Sequence, residues 1–320
     1  MLKTRVTEML GIEYPIIGGT MQWLSLAELV AAQSNAGCLG IIPSATFSSK
    51  EELVEEIRKT KSLTDKPFAV NINLFPMMRP FSIDDMIEAV HEEGIKIVET
   101  SGRNPAAYIE KIKKNGAIHM HKCARVRDAV KAEKEGIDIV TIVGIECGGH
   151  PSGEEVTTLV LLSKTVDSVS IPVMVGGGIS NGRGLAAALV MGAEGVVIGT
   201  RFIATRECPI HDNFKNLLVD SEVTATTLLL RSAGAPLRAY RNKVAEEVLD
   251  MEAKGTNVEE ILPTMSGIKG KEAYMSGDLN GGVFPCGQSA GLINRVMTVR
   301  EMVEEIIKEA EEAIRRISGQ

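Results

Sequence analysis

Eight short apolar runs alternate with stretches of helical pattern over the first two thirds of this 320-residue chain, and that rhythm constrains its fold most. The runs are Pro15–Gly18, Leu39–Pro43, Phe68–Leu74, Ile95–Thr100, Ala117–Lys122, Ile137–Val143, Ile171–Gly176 and Gly195–Gly199. Between them lie Leu26–Asn35, Lys50–Thr60, Asp84–Glu93, Pro105–Lys114, Arg125–Glu135, Val156–Val166 and Gly182–Met191, which carry apolar residues at helical spacing. Gly37, Gly94, Gly116, Gly136 and Gly192 fall just after helices, where a left-handed residue ends the last turn. Strands alternating with helices pair in parallel through right-handed crossovers, and eight units suggest closure into a (β/α)8 TIM barrel. An open doubly wound sheet is the alternative. Its usual Gly-x-Gly-x-x-Gly turn is missing after the first strand, where Gly18-Gly-Thr-Met-Gln-Trp23 stands instead.

After Arg201 the rhythm stops. Residues 207–296 hold helical patterns and glycine-rich turns without a strand series, and read as a small, mainly helical subdomain over the barrel mouth. Residues 1–206 and 297–320 form the barrel and its closing helix. That helix opens on a capping box, Thr298-Val-Arg-Glu301, and its Val303, Ile306, Ile307, Ala310, Ile314 and Ile317 predict docking on the barrel exterior.

The last two barrel strands end in glycine, at Val173-Met-Val-Gly-Gly-Gly178 and Gly195-Val-Val-Ile-Gly-Thr200. Loops after strands seven and eight are the usual phosphate clamp of such barrels, and Gly176, Gly177 and Gly178 allow backbone N–H groups to reach an anion. Asn181 is placed to open the following helix, whose positive end favours the same anion.

Composition narrows the class of partner. A formal charge of −7 with no basic block gives nucleic-acid binding no electrostatic support. No apolar run approaches the roughly 20 residues of a membrane span, and the N-terminus lacks the apolar core of a signal peptide. Cys38, Cys123, Cys147, Cys208 and Cys286 are odd in number and widely spaced, which points to reduced thiols and a cytoplasmic enzyme.

Polar residues gather at the carboxyl ends of the strands. Asn71 and Asn73 share a strand face, as site residues or as turn formers ahead of Pro76. Lys122 ends strand five, where it neutralises a phosphate or a negative cofactor ring unless it is a surface cation. Glu146-Cys-Gly-Gly-His150 follows strand six and sets an imidazole at the mouth, either for proton transfer or held by loop hydrogen bonds. His119 and His121 point to the opposite side of strand five from Lys122, so a metal site is not expected. Met21 and Trp23 line the first loop or belong to the core. Pro76-Met-Met-Arg-Pro80 is a lid or a plain connection, and Gln288 is placed to reach the site from the subdomain.

In combination and in this order, Pro15–Trp23, Gly148-Gly-His150, Gly176–Gly178 with Asn181-Gly182, Gly199-Thr-Arg-Phe202 and Gly287–Gly291 resemble the nitronate monooxygenase (2-nitropropane dioxygenase) superfamily. That group also holds NADH:quinone reductases and flavin-dependent enoyl-acyl-carrier-protein reductases. The resemblance implies non-covalent FMN, with phosphate on Gly177, Gly178, Gly199 and Thr200. It puts the flavin ring against Met21, Gln22, Asn73, Lys122 and Gly148, adds Gly149 and Gly176 to the cofactor set, and makes His150 catalytic. His121-Lys-Cys123, Glu146–Pro151 and Thr205–His211 look most like the quinone-reductase branch, many of whose members carry the nitronate monooxygenase name. Thr20 departs from the family's glycine before Met21.

The expected activity is FMN-dependent oxidation of nitronates to a carbonyl compound and nitrite, or electron transfer from NADH or NADPH to a quinone. Enoyl thioester reduction is the alternative within the family. A flavin-free isomerase or lyase acting on a phosphorylated small molecule is the alternative of another class, and a binding regulator without turnover is a third. Assembly as a homodimer is compatible with all of them.

Overall fold

The computed structural model describes residues 2–75 and 81–319, so the lid expectation for 76–80 lies outside the described residues. Eight strands run in parallel: β1 (Ile16–Gly18), β2 (Gly40–Pro43), β3 (Phe68–Asn73), β4 (Ile97–Ser101), β5 (Ile118–Cys123), β6 (Ile139–Val143), β7 (Val173–Gly176) and β8 (Gly195–Ile198). From β2 to β8 each strand pairs with the next in sequence, and β1 pairs with β8, Ile17 opposite Val197. The remaining seam is closed by Gly18 N–H donating to Leu39 O at 2.8 Å and Leu39 N–H donating to Ile16 O at 3.0 Å. The protein is a TIM barrel.

The helices α1 (Arg5–Leu10), α2 (Ala27–Asn35), α3 (Lys50–Leu63), α4 (Ile83–Glu92), α5 (Ala106–Lys113), α6 (Val126–Glu135), α7 (Thr158–Val166) and α8 (Gly182–Val190) surround or plug it. Alternation along the strands sends Ile17, Ile41, Ala69, Ile97, Met120, Ile139, Met174 and Val197 inward, where they meet Val6, Leu10 and Ile12 at the amino end. Opposite side chains pack against the helices, as Val140, Val175 and Val196 do.

Helix ends account for the small boundary differences. Gly37, Gly94, Gly116, Gly136 and Gly192 all have φ between +62° and +98°. Ile95 and Ile137 do not begin strands. Their N–H groups donate to Val90 O and Ala132 O at 3.0 and 3.1 Å, so each completes the cap of the preceding helix.

His119 and His121 do turn outward. The Thr100 hydroxyl sits 2.8 Å from His119 Nε2 and 2.9 Å from His121 Nδ1. Burial, first among the causes, pushes the two imidazoles down to about 3 and about 4. Both are neutral in the fold, whereas the unfolded chain protonates them near pH 6.5. Stability is therefore complete above that pH and lost as pH falls towards 4. At about 1.4 kcal/mol per pH unit, the loss reaches roughly 2–3 kcal/mol per histidine by pH 4.5. Thermal melts at pH 7.5 and 4.5 should show a smaller drop for a His119→Gln/His121→Gln variant. An equal drop would exclude the pair as the cause.

Beyond β8 come α9 (Thr200–Ile203), α10 (Asp212–Val219), α11 (Lys243–Ala253), α12 (Val258–Ile261), α13 (Gly267–Ser276) and α14 (Val299–Ser318). The expectation of no strands here is corrected. An antiparallel hairpin, β9 (Thr226–Leu229) and β10 (Leu237–Tyr240), carries its own small core with Ala245, Val248 and Ile261. Strands of four residues leave too weak an alternation to read. Phe214, Tyr274 and Phe284 meet edge to face at 4.9–5.8 Å and tie this excursion together.

Helix α14 docks on α8 through Val303, Ile306, Ile307 and Ala310, but Ile317 is 70% exposed and takes no part. A Cβ at Gly182 would lie 2.3 Å from Ile306 O and 2.4 Å from Ala310 N. Gly182→Ala must push α14 away, at a cost of about 1–3 kcal/mol. A melting temperature equal to wild type would refute that reading of the contact.

Candidate active site

Strand parity brings Asn71, Glu99 and Lys122 to the inner face of adjacent strands β3, β4 and β5. Glu99 is fully buried. Its Oε2 accepts from Asn71 Nδ2 at 2.7 Å, from Lys122 Nζ at 3.0 Å and from the Thr20 hydroxyl at 2.7 Å. Lys122 Nζ also donates to Thr20 Oγ1 at 3.2 Å. Lys122 is thus no stray surface cation. The sequence shows Glu99 only as a strand-end carboxylate, and its place in this cluster was not expected. A carboxylate within an apolar strand, on the face shared by Asn71 and Lys122, is the signal that could have found it, because a buried charge requires partners.

The glycine loops form a cradle at the same rim. Gly177 and Gly178 have φ of +106° and +73°, which L side chains rarely adopt. Gly19 and Gly199 approach so closely that a Cβ on Gly19 would lie 2.9 Å from Gly199 Cα. The Met21 sulfur lies 3.9 Å from where a Cβ on Gly199 would stand. Thr200 Oγ1 accepts from Gly287 N–H at 2.8 Å, joining the loop after β8 to the chain's last excursion.

Glu146 secures this cradle. Its carboxylate accepts from Thr158 N–H at 3.0 Å and from the Thr158 hydroxyl at 2.7 Å, at the positive end of α7. Thr158 Oγ1 is also 3.0 Å from Gly177 O. The helix-end expectation for α8 is corrected in part. Asn181 caps it, accepting from Gly184 N–H at 2.9 Å, but Gly182 N–H donates to Glu309 Oε2 at 2.7 Å. The first turn of α8 is therefore held by α14.

His150 stands on the loop after β6. Gly149 and Arg238 exchange backbone hydrogen bonds of 3.0 and 2.7 Å, so β10 fixes the residue before it. Gly148 packs on the Cys286–Gly287 backbone, where a Cβ would come within 2.7 Å. The imidazole is exposed to the mouth, with the Phe75 ring centred 6.1 Å away at 41°. Its concave surroundings displace bulk water and push its pKa below the usual value, so it is neutral at pH 7. Cys147 precedes Gly148 in the chain and Cys286 packs against it, and burial holds both thiols up at about 12, which removes them as nucleophiles.

Two of the expected ring contacts are engaged elsewhere through their side chains. Gln22 Nε2 donates to Ala45 O at 3.0 Å, and Asn73 Oδ1 accepts from Phe75 N–H at 2.9 Å as a turn former does. Met21, Lys122, Gly148, Gly149, Gly176, Gly177, Gly178, Gly199, Thr200 and His150 all lie on loops or strand ends at the carboxyl rim. Among the described residues no group of three His, Cys, Asp or Glu side chains is arranged for a metal.

A parallel barrel with glycine loops after its last two strands and an imidazole on the same carboxyl rim has the layout of a barrel enzyme. The sequence profile of the nitronate monooxygenase family matches over residues 3–78 and 77–309. The chain belongs to the nitronate monooxygenase family. It is 32% identical to a probable nitronate monooxygenase of Staphylococcus saprophyticus, covering 98% of this chain and 99% of that protein. It is 31% identical to (3aS,4S,5R,7aS)-5-hydroxy-7a-methyl-1-oxo-octahydro-1H-indene-4-carboxyl-CoA dehydrogenase of Rhodococcus jostii, covering 99% and 98%. The solved structure of FabK from Thermotoga maritima superposes with a TM-score of 0.93 at 38% identity, covering 100% of this chain and 99% of that one. The chain is an oxidoreductase of this family, and membership implies a flavin.

Proposed function

We propose that the chain binds FMN across the barrel mouth and oxidises nitronates, with His150 as the residue that engages the substrate. The observation that carries this reading is a neutral imidazole, open to the mouth, on the rim that also holds the glycine cradle. The residues fit FMN. The backbone N–H groups of Gly177, Gly178, Gly199 and Thr200 would hold its phosphate, where side chains on the two positive-φ glycines would be strained. Gly176 ends β7 below them. Met21, Gln22, Asn73, Lys122, Gly148 and Gly149 border the ring.

FMN, when bound, supplies the acceptance of electrons from substrate and their passage to oxygen or to a quinone. A neutral His150 accepts a proton from the carbon beside a nitro group, or donates its N–H to the nitronate oxygen. Phe75 walls one side of that imidazole and orients what binds there. Residues 207–296 cover the mouth through the Gly149–Arg238 bridge and the Gly287–Thr200 hydrogen bond, limiting access of water.

A second reading is reduction of an enoyl thioester, with NADH or NADPH as hydride donor. The full-length 38% identity to FabK and the acyl-CoA substrate named for the Rhodococcus jostii relative favour it. Both activities are tested on one preparation loaded with FMN. Anaerobic titration with NADH and then NADPH, followed at the visible flavin band, reads reduction by a nicotinamide. Aerobic nitrite release from propyl-2-nitronate reads nitronate oxidation. Nitrite without nicotinamide bleaching supports the first reading; bleaching that reverses with crotonyl-CoA, without nitrite, replaces it by the second. Failure to take up FMN sinks both.

A further inference from the structure

Lys122, taken alone, would stabilise a reduced, anionic flavin by its charge. Its surroundings do not leave it alone. Its Nζ lies 3.0 Å from Glu99 Oε2, and the two side chains are 19% and 0% exposed. The Thr20 hydroxyl bridges the pair, 2.7 Å from the carboxylate and 3.2 Å from the ammonium. Asn71 Nδ2 braces the same carboxylate oxygen at 2.7 Å and Ser101 Oγ at 3.2 Å. Among the described residues the other oxygen, Oε1, has no hydrogen-bond partner, so the Thr20, Asn71 and Lys122 donors all converge on Oε2. The first loop, β3, β4 and β5 are tied by one buried carboxylate.

We propose that Glu99 is the internal counter-ion of Lys122 at the flavin site, that Thr20 clips the pair shut, and that the closed pair sets the flavin's reduction potential. Both are positioning residues. The physical ground is that a buried carboxylate in contact with an ammonium leaves almost no net charge for a neighbour to feel, in surroundings that screen charges poorly. Thr20 matters because its hydroxyl both donates to Glu99 and accepts from Lys122. A glycine there does neither, and would leave the lysine one anchor instead of two.

The inference rests on FMN occupying the mouth, and its test is a charge cycle on the flavin-loaded protein. Midpoint potentials are read spectrophotometrically against a dye of known potential. With both charges present the pair is neutral; Glu99→Gln leaves +1, Lys122→Met leaves −1, and the double variant is neutral again. Glu99→Gln should raise the equilibrium constant for two-electron reduction at least tenfold, which is about 30 mV. Lys122→Met should lower it comparably, and the double variant should return close to wild type. Thr20→Gly should move the potential part of the way upward, and Thr20→Ser should restore it.

A Glu99→Gln potential equal to wild type, with Lys122→Met still lowered, would show Lys122 acting alone and overturn the proposal. Unchanged potentials in every variant would overturn it too. Should Glu99→Gln fail to fold, the Thr20→Gly and Thr20→Ser pair decides, because Thr20 lies on the first loop, outside the barrel strands. Wild-type protein that never takes up FMN fails the functional reading itself, and this inference with it. FMN uptake with flat potentials fails the inference alone.

Discussion

His150→Ala should lower turnover of the nitronate by about 10²- to 10⁴-fold while leaving FMN bound, the range expected for removal of a proton-transfer residue. Among the described residues the imidazole meets the Phe75 ring and makes no hydrogen bond to the glycine cradle. Its place is fixed through backbone bonds of Gly149, which alanine at 150 keeps. Flavin absorbance after gel filtration checks retention, and nitrite release checks the rate. Loss of flavin together with activity would make His150 a structural residue. The pH profile gives an independent sign. Desolvation by the concave surroundings lowers the pKa of His150, so the neutral, proton-accepting form dominates at pH 7. For wild type, kcat/KM should be flat through neutrality and fall on the acid side, with a midpoint below the ordinary 6.5. A midpoint above that value would contradict the geometry.

Gly177→Ala should cost FMN affinity about tenfold to a hundredfold. A side chain at φ +106° is strained, and its Cβ would stand 2.7 Å from Thr158 Oγ1 and 3.2 Å from Gly144 N. Such strain is worth roughly 1–3 kcal/mol, and here relief would displace the loop that lines the cradle. Gly94→Ala makes the control. It shares a positive φ, +62°, but nothing lies within 4 Å of its added Cβ and it caps a helix far from the rim. It should lose stability without losing FMN. Titration of apoprotein with FMN, followed by quenching of flavin fluorescence, separates the two. Equal affinities for wild type and Gly177→Ala would remove the loop after β7 from the phosphate site.

The rim geometry also ranks the carboxylates. Glu146 and Glu99 both sit near strand ends, yet neither is free to act as a base. Glu146 is spent on the first turn of α7, and Glu99 on Lys122, Thr20 and Asn71. His150 instead carries an exposed imidazole that is neutral at pH 7.

Much of this architecture was legible in the residues themselves. Local rules operate over a few positions. A glycine after a helix and a β-branched run before a glycine mark their elements wherever they occur, so the eight strands and their helices could be counted along the chain. The place of Lys122 was visible because one strand's alternation decides which side chains share its inner face, and the glycine runs and His150 because they follow a strand's carboxyl end in the chain. Relations between distant segments were not visible. The Glu99–Lys122–Thr20 contact joins residues up to 102 positions apart, and the Gly149–Arg238 bridge joins two segments with no local signal for each other. Gln22 and Asn73 sit in the first loop and at the end of β3, where nearby carbonyl and amide groups claim their side chains. The sequence by itself determined a parallel barrel with its polar residues at one rim, because periodicity and turn chemistry are properties of short stretches. Only the tertiary structure decided which charges cancel, which amides are already engaged and which imidazole stays neutral, because burial and pairing depend on what the closed barrel brings alongside.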